Sequence, residues 1–241
     1  MESLELNCLR GCLTQCPRLR FDLPSEAELA LLSRLWGEGY NHQITFLRTR
    51  DIPSLTGGGE YASMVKSSDL VLPSDQELVG RISQDLARGE LRMEKRHIQV
   101  SLKHQVYLAV HRESQSDAET APLEAFKPLS VLSILLSALA HQGGSLFLVG
   151  GRSETLRLAE ANLKSTFPGL RVVGRAPGDY KAEEEGGVVV SLQKSTPNLV
   201  LVGSMVPEGE LWVPRHMRYT AAGLYFYEHP IIEILAGRQR P

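Results

Sequence analysis

The sequence has no long apolar run, few cysteines, few aromatic residues and no marked excess of charge of either sign. Each shortage excludes something. The longest apolar stretch, Val131 to Ala140, falls short of the about 20 residues that a membrane-crossing helix needs. The amino terminus carries Glu2 and Glu5 before any apolar run, so it does not read as a secretory signal. A net charge of -2 offers no general attraction to nucleic acid or anionic lipid. The three cysteines, Cys8, Cys12 and Cys16, recur every fourth residue and would share one face of a helix over Leu4 to Cys16. A thiolate metal or iron–sulfur site is one reading. Structural sites usually have four ligands, however, and zinc pairs a closer first spacing, which favours three reduced thiols. The seven histidines are scattered, and His104 and His111 read as strand-surface residues. No metal or cofactor is expected. With 42% hydrophobic and 22% charged residues in 241, the chain fits a single bacterial-type cytosolic α/β domain spanning 1–241.

What is present concentrates between Ser145 and Trp212. The run Leu146-Phe147-Leu148-Val149 closes on Gly150-Gly151, and Val200-Leu201-Val202 closes on Gly203. Short apolar runs ended by glycine and followed by a helix-like segment are how buried parallel strands feeding helices read. Ligands of such folds collect where strand carboxyl ends meet helix amino ends, because unpaired N–H groups there can hold phosphate. A nucleotide-type ligand is therefore the first expectation.

Ser25 with Glu28 has capping-box spacing, and a helix through Leu35 stops at Gly37 and Gly39. A strand around Gln43 to Leu47 follows, then a flexible turn over Pro53 to Gly59, then a strand ending at Val71-Leu72-Pro73. Gln76 to Leu91 has helix-forming composition. Ile98 to Leu102 and Val106 to Val110, joined by Lys103-His104-Gln105, predict a β-hairpin in an insertion at about 76–126. A helix over Leu129 to Ala140 precedes the strand Ser145 to Val149; a helix from Ser153 and a strand over Leu170 to Val173 come next. Gly186 to Lys194 is a conflict, since its three valines favour a strand. A helix is expected there, because another strand before Leu199 would break the βαβ alternation. The fold class is α/β, Rossmann-like, with a mostly parallel sheet flanked by helices and the added hairpin.

The pieces SLFLVGG, then TFPGLRVVGRAPGDY, then PNLVLVGSMVPEGELW stand in the order VFLLGG, YPGLxIVGxxxGYF, ILLVGxGxPKQExW of the WecG/TagA/CpsF glycosyltransferases, which this sequence resembles. The likeness extends to Leu23 through Ile44, to Ser68-Asp69-Leu70-Val71-Leu72-Pro73 and to Ile234 through Arg240, leaving Gln76 to Phe126 outside. It implies transfer of an N-acetylmannosamine-type sugar from UDP to a polyprenyl-diphosphate lipid, at the inner face of the cell membrane, with no nucleic-acid partner.

Under the same resemblance, a gap-free alignment from His42 to Pro73 puts the family's pocket threonine on Phe46, its asparagine on Arg48 and its putative catalytic aspartate on Ser74. A serine cannot unaided take a proton from an acceptor hydroxyl. Asp75, one residue on, is the candidate base; its other reading is the N-cap of the helix beginning near Gln76. Lys127 retains a positive charge near the family's arginine, while Gly150, Gly151, Arg152, Gly203 and Glu210 are the candidate substrate- or nucleotide-binding residues. In the PKQE segment Pro207, Glu210 and Trp212 match, and Glu208 replaces a cation, which is repulsive beside a diphosphate. Trp212 and Tyr180 read as structural. Family members continue past the LAGR segment into a basic, membrane-contacting appendage. Should Arg238-Gln239-Arg240-Pro241 be the natural end, that contribution is absent or comes from a partner or second copy docking on Tyr225, Phe226, Tyr227, Ile231 and Ile232, a cluster that otherwise covers the core. The lost residues leave a second expectation, a catalytically inactive pseudoglycosyltransferase acting as a binding or scaffold protein.

Overall fold

The computed structural model describes residues 41–56, 58–87, 124–220 and 223–240. Their six strands are β1 (Asn41–Leu47), β2 (Leu70–Pro73), β3 (Ser145–Val149), β4 (Arg171–Ala176), β5 (Leu199–Val202) and β6 (Gly223–Tyr227). They form one sheet in the order β2-β1-β6-β5-β3-β4. Every pairing is parallel, so the mostly parallel sheet expected is wholly parallel here.

The sheet is a two-faced object because side chains alternate along a strand. Ile44, Phe46, Leu70, Leu72, Leu146, Leu148, Leu199, Leu201, Leu224 and Phe226 share one core cluster. Against it pack the helices α4 (Pro128–His141), α5 (Ser153–Thr166) and α8 (Ile231–Leu235), through residues such as Leu135, Leu156, Ala159 and Ile231. On the other face Phe147, Val149, Val200, Val202 and Tyr225 meet α6 (Glu185–Ser195) and α7 (Trp212–Met217), while Leu47 and Val71 meet α2 (Glu60–Ser67) and α3 (Gln76–Ala87). Covering both faces is what a parallel sheet requires, and it explains why the strands read as unbroken apolar runs.

Several local expectations are resolved. The Gly186 to Lys194 conflict ends as helix α6, which buries Val188 and Leu192 one turn apart and stops at Thr196 in the left-handed region. Burial of that stripe overrides the strand preference of its valines. Two expectations need correction. Pro53–Thr56 forms a short helix, α1, rather than belonging to an irregular turn, and proline at a first helical position suits that start. The strand expected over Leu170 to Val173 begins at Arg171 and runs on to Ala176. The hairpin over Ile98 to Val110 and the cysteine face of Leu4 to Cys16 lie outside the described residues.

The carboxyl-terminal cluster has two readings, a docking face for a partner or a cover of the core, and burial favours the second. Tyr225, Phe226, Ile231 and Ile232 are all fully or almost fully buried, and they close the core instead of offering a surface. Among the described residues, no helix is long and apolar enough to cross a membrane.

Candidate functional site

The carboxyl edge of the sheet gathers the residues that the sequence singled out. From β3 come Gly150, Gly151 and Arg152, which leads into α5. Beyond β5 lie Gly203 and the turn carrying Glu210, and beyond β2 lies Asp75. Lys127 precedes α4, and its neighbour Phe126 donates its N–H to Pro73 O at 2.9 Å, which brings α4's amino end to the β2 edge. Two fourteen-residue helices, α4 and α5, thus begin at this edge behind exposed cations, Lys127 and Arg152. The first N–H groups of such helices lack helical partners and carry the positive end of the dipole.

The glycines do something different from cradling a ligand directly. Gly150 has φ +112°, and its N–H donates to Ala176 O at 3.0 Å; the Gly151 N–H donates to Ser204 O at 2.8 Å and the Gly203 N–H to Val149 O at 2.8 Å. A Cβ on Gly150 would lie 2.8 Å from Ser204 O, and one on Gly178 would lie 2.6 Å from the same oxygen. A Cβ on Gly203 would meet Ile232 Cγ1 at 2.5 Å. These glycines let the loops after β3, β4 and β5 interlock backbone to backbone. That packing places Arg152 and the start of α5.

Asp75 is a heavily hydrogen-bonded carboxylate. It accepts the Leu78 N–H at 2.7 Å, the Thr49 N–H at 2.6 Å and the Thr49 hydroxyl at 2.8 Å. The first of these is the N-cap of α3, as one of its two readings required. Burial raises the Asp75 pKa, but the Leu78 and Thr49 hydrogen bonds and the Arg48 charge together hold it below the usual aspartate value. A folded-state pKa below the unfolded one gives stability that is present above the unfolded value and fades as pH falls through the folded one. Asp75→Ala is therefore expected to cost about 1–2 kcal/mol at neutral pH and markedly less near pH 3. Urea denaturation of the two chains at both pH values checks this; an equal cost at both would remove the role of the charge.

The other family positions have been given internal partners. Phe46 is 3% exposed and packs edge-on against Phe226 with ring centroids 5.1 Å apart. The Ser74 hydroxyl donates to Leu47 O at 3.3 Å. Arg48 Nη2 donates to both carboxylate oxygens of Glu228, at 2.8 and 2.9 Å. Burial disfavours the Arg48 charge, yet Glu228 beside it raises the guanidinium pKa overall. Glu208, in the left-handed region at φ +59°, is ion-paired with Arg215, which also holds Glu60 at 2.6 Å. Its negative charge at the old lysine position is thus countered by a cation supplied from α7. Trp212 is buried, and its indole N–H donates to the Tyr180 hydroxyl at 2.6 Å, the structural role expected of both.

Sequence reasoning missed the cluster around Arg48. Asp51 accepts the Arg48 N–H at 2.9 Å, Glu228 holds the guanidinium, and Glu210, Tyr61 and Tyr227 stand within electrostatic reach. Burial first, then Glu210 and Glu228, push the Tyr227 hydroxyl up to about 12 against the opposing Arg48. Glu228 follows directly on the strand run Gly223 to Tyr227, and that carboxyl-end position was its available signal. Among the described residues, no group of three His, Cys, Asp or Glu side chains is placed to hold a metal ion.

A comparison of the sequence with curated proteins finds no match. The family model described as "Glycosyl transferase WecG/TagA/CpsF family" matches residues 118–241. That span includes α4 through α8 and the strands β3 to β6, and it stops short of the Phe46, Arg48 and Ser74 positions. With half of its length under that model, and with the expected glycine-bounded strands and the Pro207, Glu210 and Trp212 matches in place at one sheet edge, the chain belongs to the WecG/TagA/CpsF glycosyltransferase family.

Proposed function

We propose that this chain is a sugar-nucleotide-dependent glycosyltransferase whose donor is a UDP-linked N-acetylmannosamine-type sugar and whose acceptor is a polyprenyl-diphosphate-linked lipid met at a membrane surface. One observation carries the reading. Two helix amino ends, each fronted by an exposed cation, open onto the same carboxyl edge, α4's beside β2 and α5's beside β3, and each suits a phosphate group. Arg152 and Lys127 supply the charge. The interlocked Gly150, Gly151 and Gly203 loops fix the start of α5, and Glu210 borders the sugar side.

Calorimetric titration with UDP and UDP-N-acetylmannosamine is expected to show saturable binding that Arg152→Ala weakens roughly tenfold, the loss of one charge-assisted contact of about 1.5 kcal/mol. Binding unchanged in that variant would move the phosphate elsewhere. A second reading is a pseudoglycosyltransferase, which keeps the fold as a binding or scaffold module. It is favoured by Phe46, Ser74 and Asp75, whose side chains are committed to packing, to Leu47 O and to capping α3. Donor binding without turnover would select it.

A further inference from the structure

We propose that Glu210 is the base that takes the proton from the acceptor hydroxyl. The inference rests on the transferase reading above and supplies it with the proton acceptor that Ser74 cannot be. The other carboxylates on or beside this part of the edge have work already, beginning with Glu60 and Glu208, which pair with Arg215. Asp75 takes three hydrogen bonds, Asp51 takes the Arg48 N–H, and Glu228 holds the Arg48 guanidinium. The Glu210 carbonyl accepts the Trp212 N–H, but its side-chain carboxylate receives no hydrogen bond among the described residues. It sits on the short 3-10 turn Gly209–Leu211 between β5 and α7. Gly209 anchors that turn against Tyr227, where an added Cβ would lie 3.2 Å from the hydroxyl oxygen. Leu211 anchors its other end in the cluster of Ile52, Leu55 and Tyr61. A side chain held at both flanks and left without donors is positioned for a proton and not for a structural bond.

The groups facing it are Asp51, Arg48, Glu228, Tyr61 and Tyr227. Burial, then Asp51, raise the Glu210 pKa; Arg48 opposes them and Glu228 adds to them, so that it is pushed up to about 8. The residue as a whole is of intermediate exposure. A base whose pKa lies near the working pH combines a usable ionised fraction with real proton affinity. In the transfer step the acceptor O–H bond breaks, its proton passes to the Glu210 carboxylate, and the oxygen forms a bond to the anomeric carbon of the sugar. The bond from that carbon to the UDP oxygen breaks, and the electron pair leaves with UDP. The protonated carboxyl then returns its proton to water.

The test measures UDP release from UDP-N-acetylmannosamine, with a short-chain polyprenyl-diphosphate-linked sugar as acceptor, between pH 6 and 9. UDP affinity is measured in parallel. The wild-type rate is expected to climb about tenfold per pH unit and level off near 8. Glu210→Gln is expected to lower it roughly 100-fold or more with UDP affinity unchanged, and Glu210→Asp to restore part of the loss. A Gln variant that retains the rate, one that loses UDP affinity in proportion, or a flat wild-type profile would each overturn the assignment. A readout independent of activity is carbon-13 NMR of labelled glutamate. One carboxyl should titrate near 8 and vanish in Glu210→Gln, whereas a full set titrating below 6 refutes the proposal. A wild-type chain that neither binds UDP nor releases it defeats the transferase reading itself, a result distinct from an active enzyme indifferent to Glu210.

Discussion

Gly150→Ala is expected to lower the stability of the fold by about 3 kcal/mol or more, the sum of a left-side backbone conformation and an overpacked contact. Gly150 holds φ +112°, a region that a residue with a Cβ seldom enters. Its Cβ would lie 2.8 Å from Ser204 O and 2.9 Å from the carbonyl carbon and the nitrogen of Gly203. All three neighbours are backbone atoms of the loop after β5, so no side-chain rotation relieves the clash. That loop is held in place by the Gly203 N–H bond to Val149 O and the Gly151 N–H bond to Ser204 O. In a chain of this size, about 3 kcal/mol corresponds to a fall in melting temperature of roughly 6–12 °C. Thermal unfolding followed by circular dichroism measures it. A shift below about 2 °C would mean that the loops do not depend on the missing Cβ. Gly58→Ala offers a control, since φ +66° is strained but nothing lies within 4 Å of an added Cβ; its cost should be the smaller backbone component alone.

Phe46→Thr, which installs the residue that the family resemblance places there, is expected to cost about 4 kcal/mol and to restore no pocket. Removing a buried aromatic ring costs about 3–5 kcal/mol when neighbours relax only partly. Phe46 is 3% exposed, and Phe226 on the adjacent β6 loses its edge-on partner. The new hydroxyl would also enter a region whose neighbours are Leu70, Leu72 and Phe226, where an unmatched polar group adds about 1–3 kcal/mol. Guanidinium unfolding of Phe46→Thr against Phe46→Leu separates the two contributions. A variant as stable as wild type, with improved donor binding, would show that the ring blocks a pocket that the surrounding core still keeps.

The sheet was legible because its strands are buried on both faces. Leu146 to Val149 and Leu199 to Val202 are continuous apolar runs bounded by glycine, and no other element gives that pattern so cleanly. The helix over Glu185–Ser195 could be inferred only from chain topology, since Val188, Val189 and Val190 argue locally for a strand and only burial of Val188 and Leu192 decides otherwise. Asp75 was legible as a capping residue from its place ahead of Gln76, but its bonds to Thr49 were not, because they join positions 26 residues apart across two parallel strands. The Arg48–Glu228 pair joins positions 180 apart, and the local turn in which Asp51 caps the Arg48 N–H gives no sign of it. Glu210 could be singled out from the Pro207, Glu210 and Trp212 spacing, yet its raised pKa depends on Asp51 and Arg48 arriving from the far end of the chain. Spacing along the chain records local geometry; a site assembled by a sheet crossing is recorded only in the fold.

The strand order has a consequence for how this molecule comes into being. Among the described residues, β1 pairs with β2 and β6, and β5 with β3 and β6, so β6 is the ladder between the early pair and the other strands. The described strands before and after the α3–α4 segment therefore join into one sheet only when Gly223 to Tyr227, late in the sequence, lies between them. Arg48 and Glu228 meet at that moment, which makes closure of the sheet and assembly of the carboxyl edge one event.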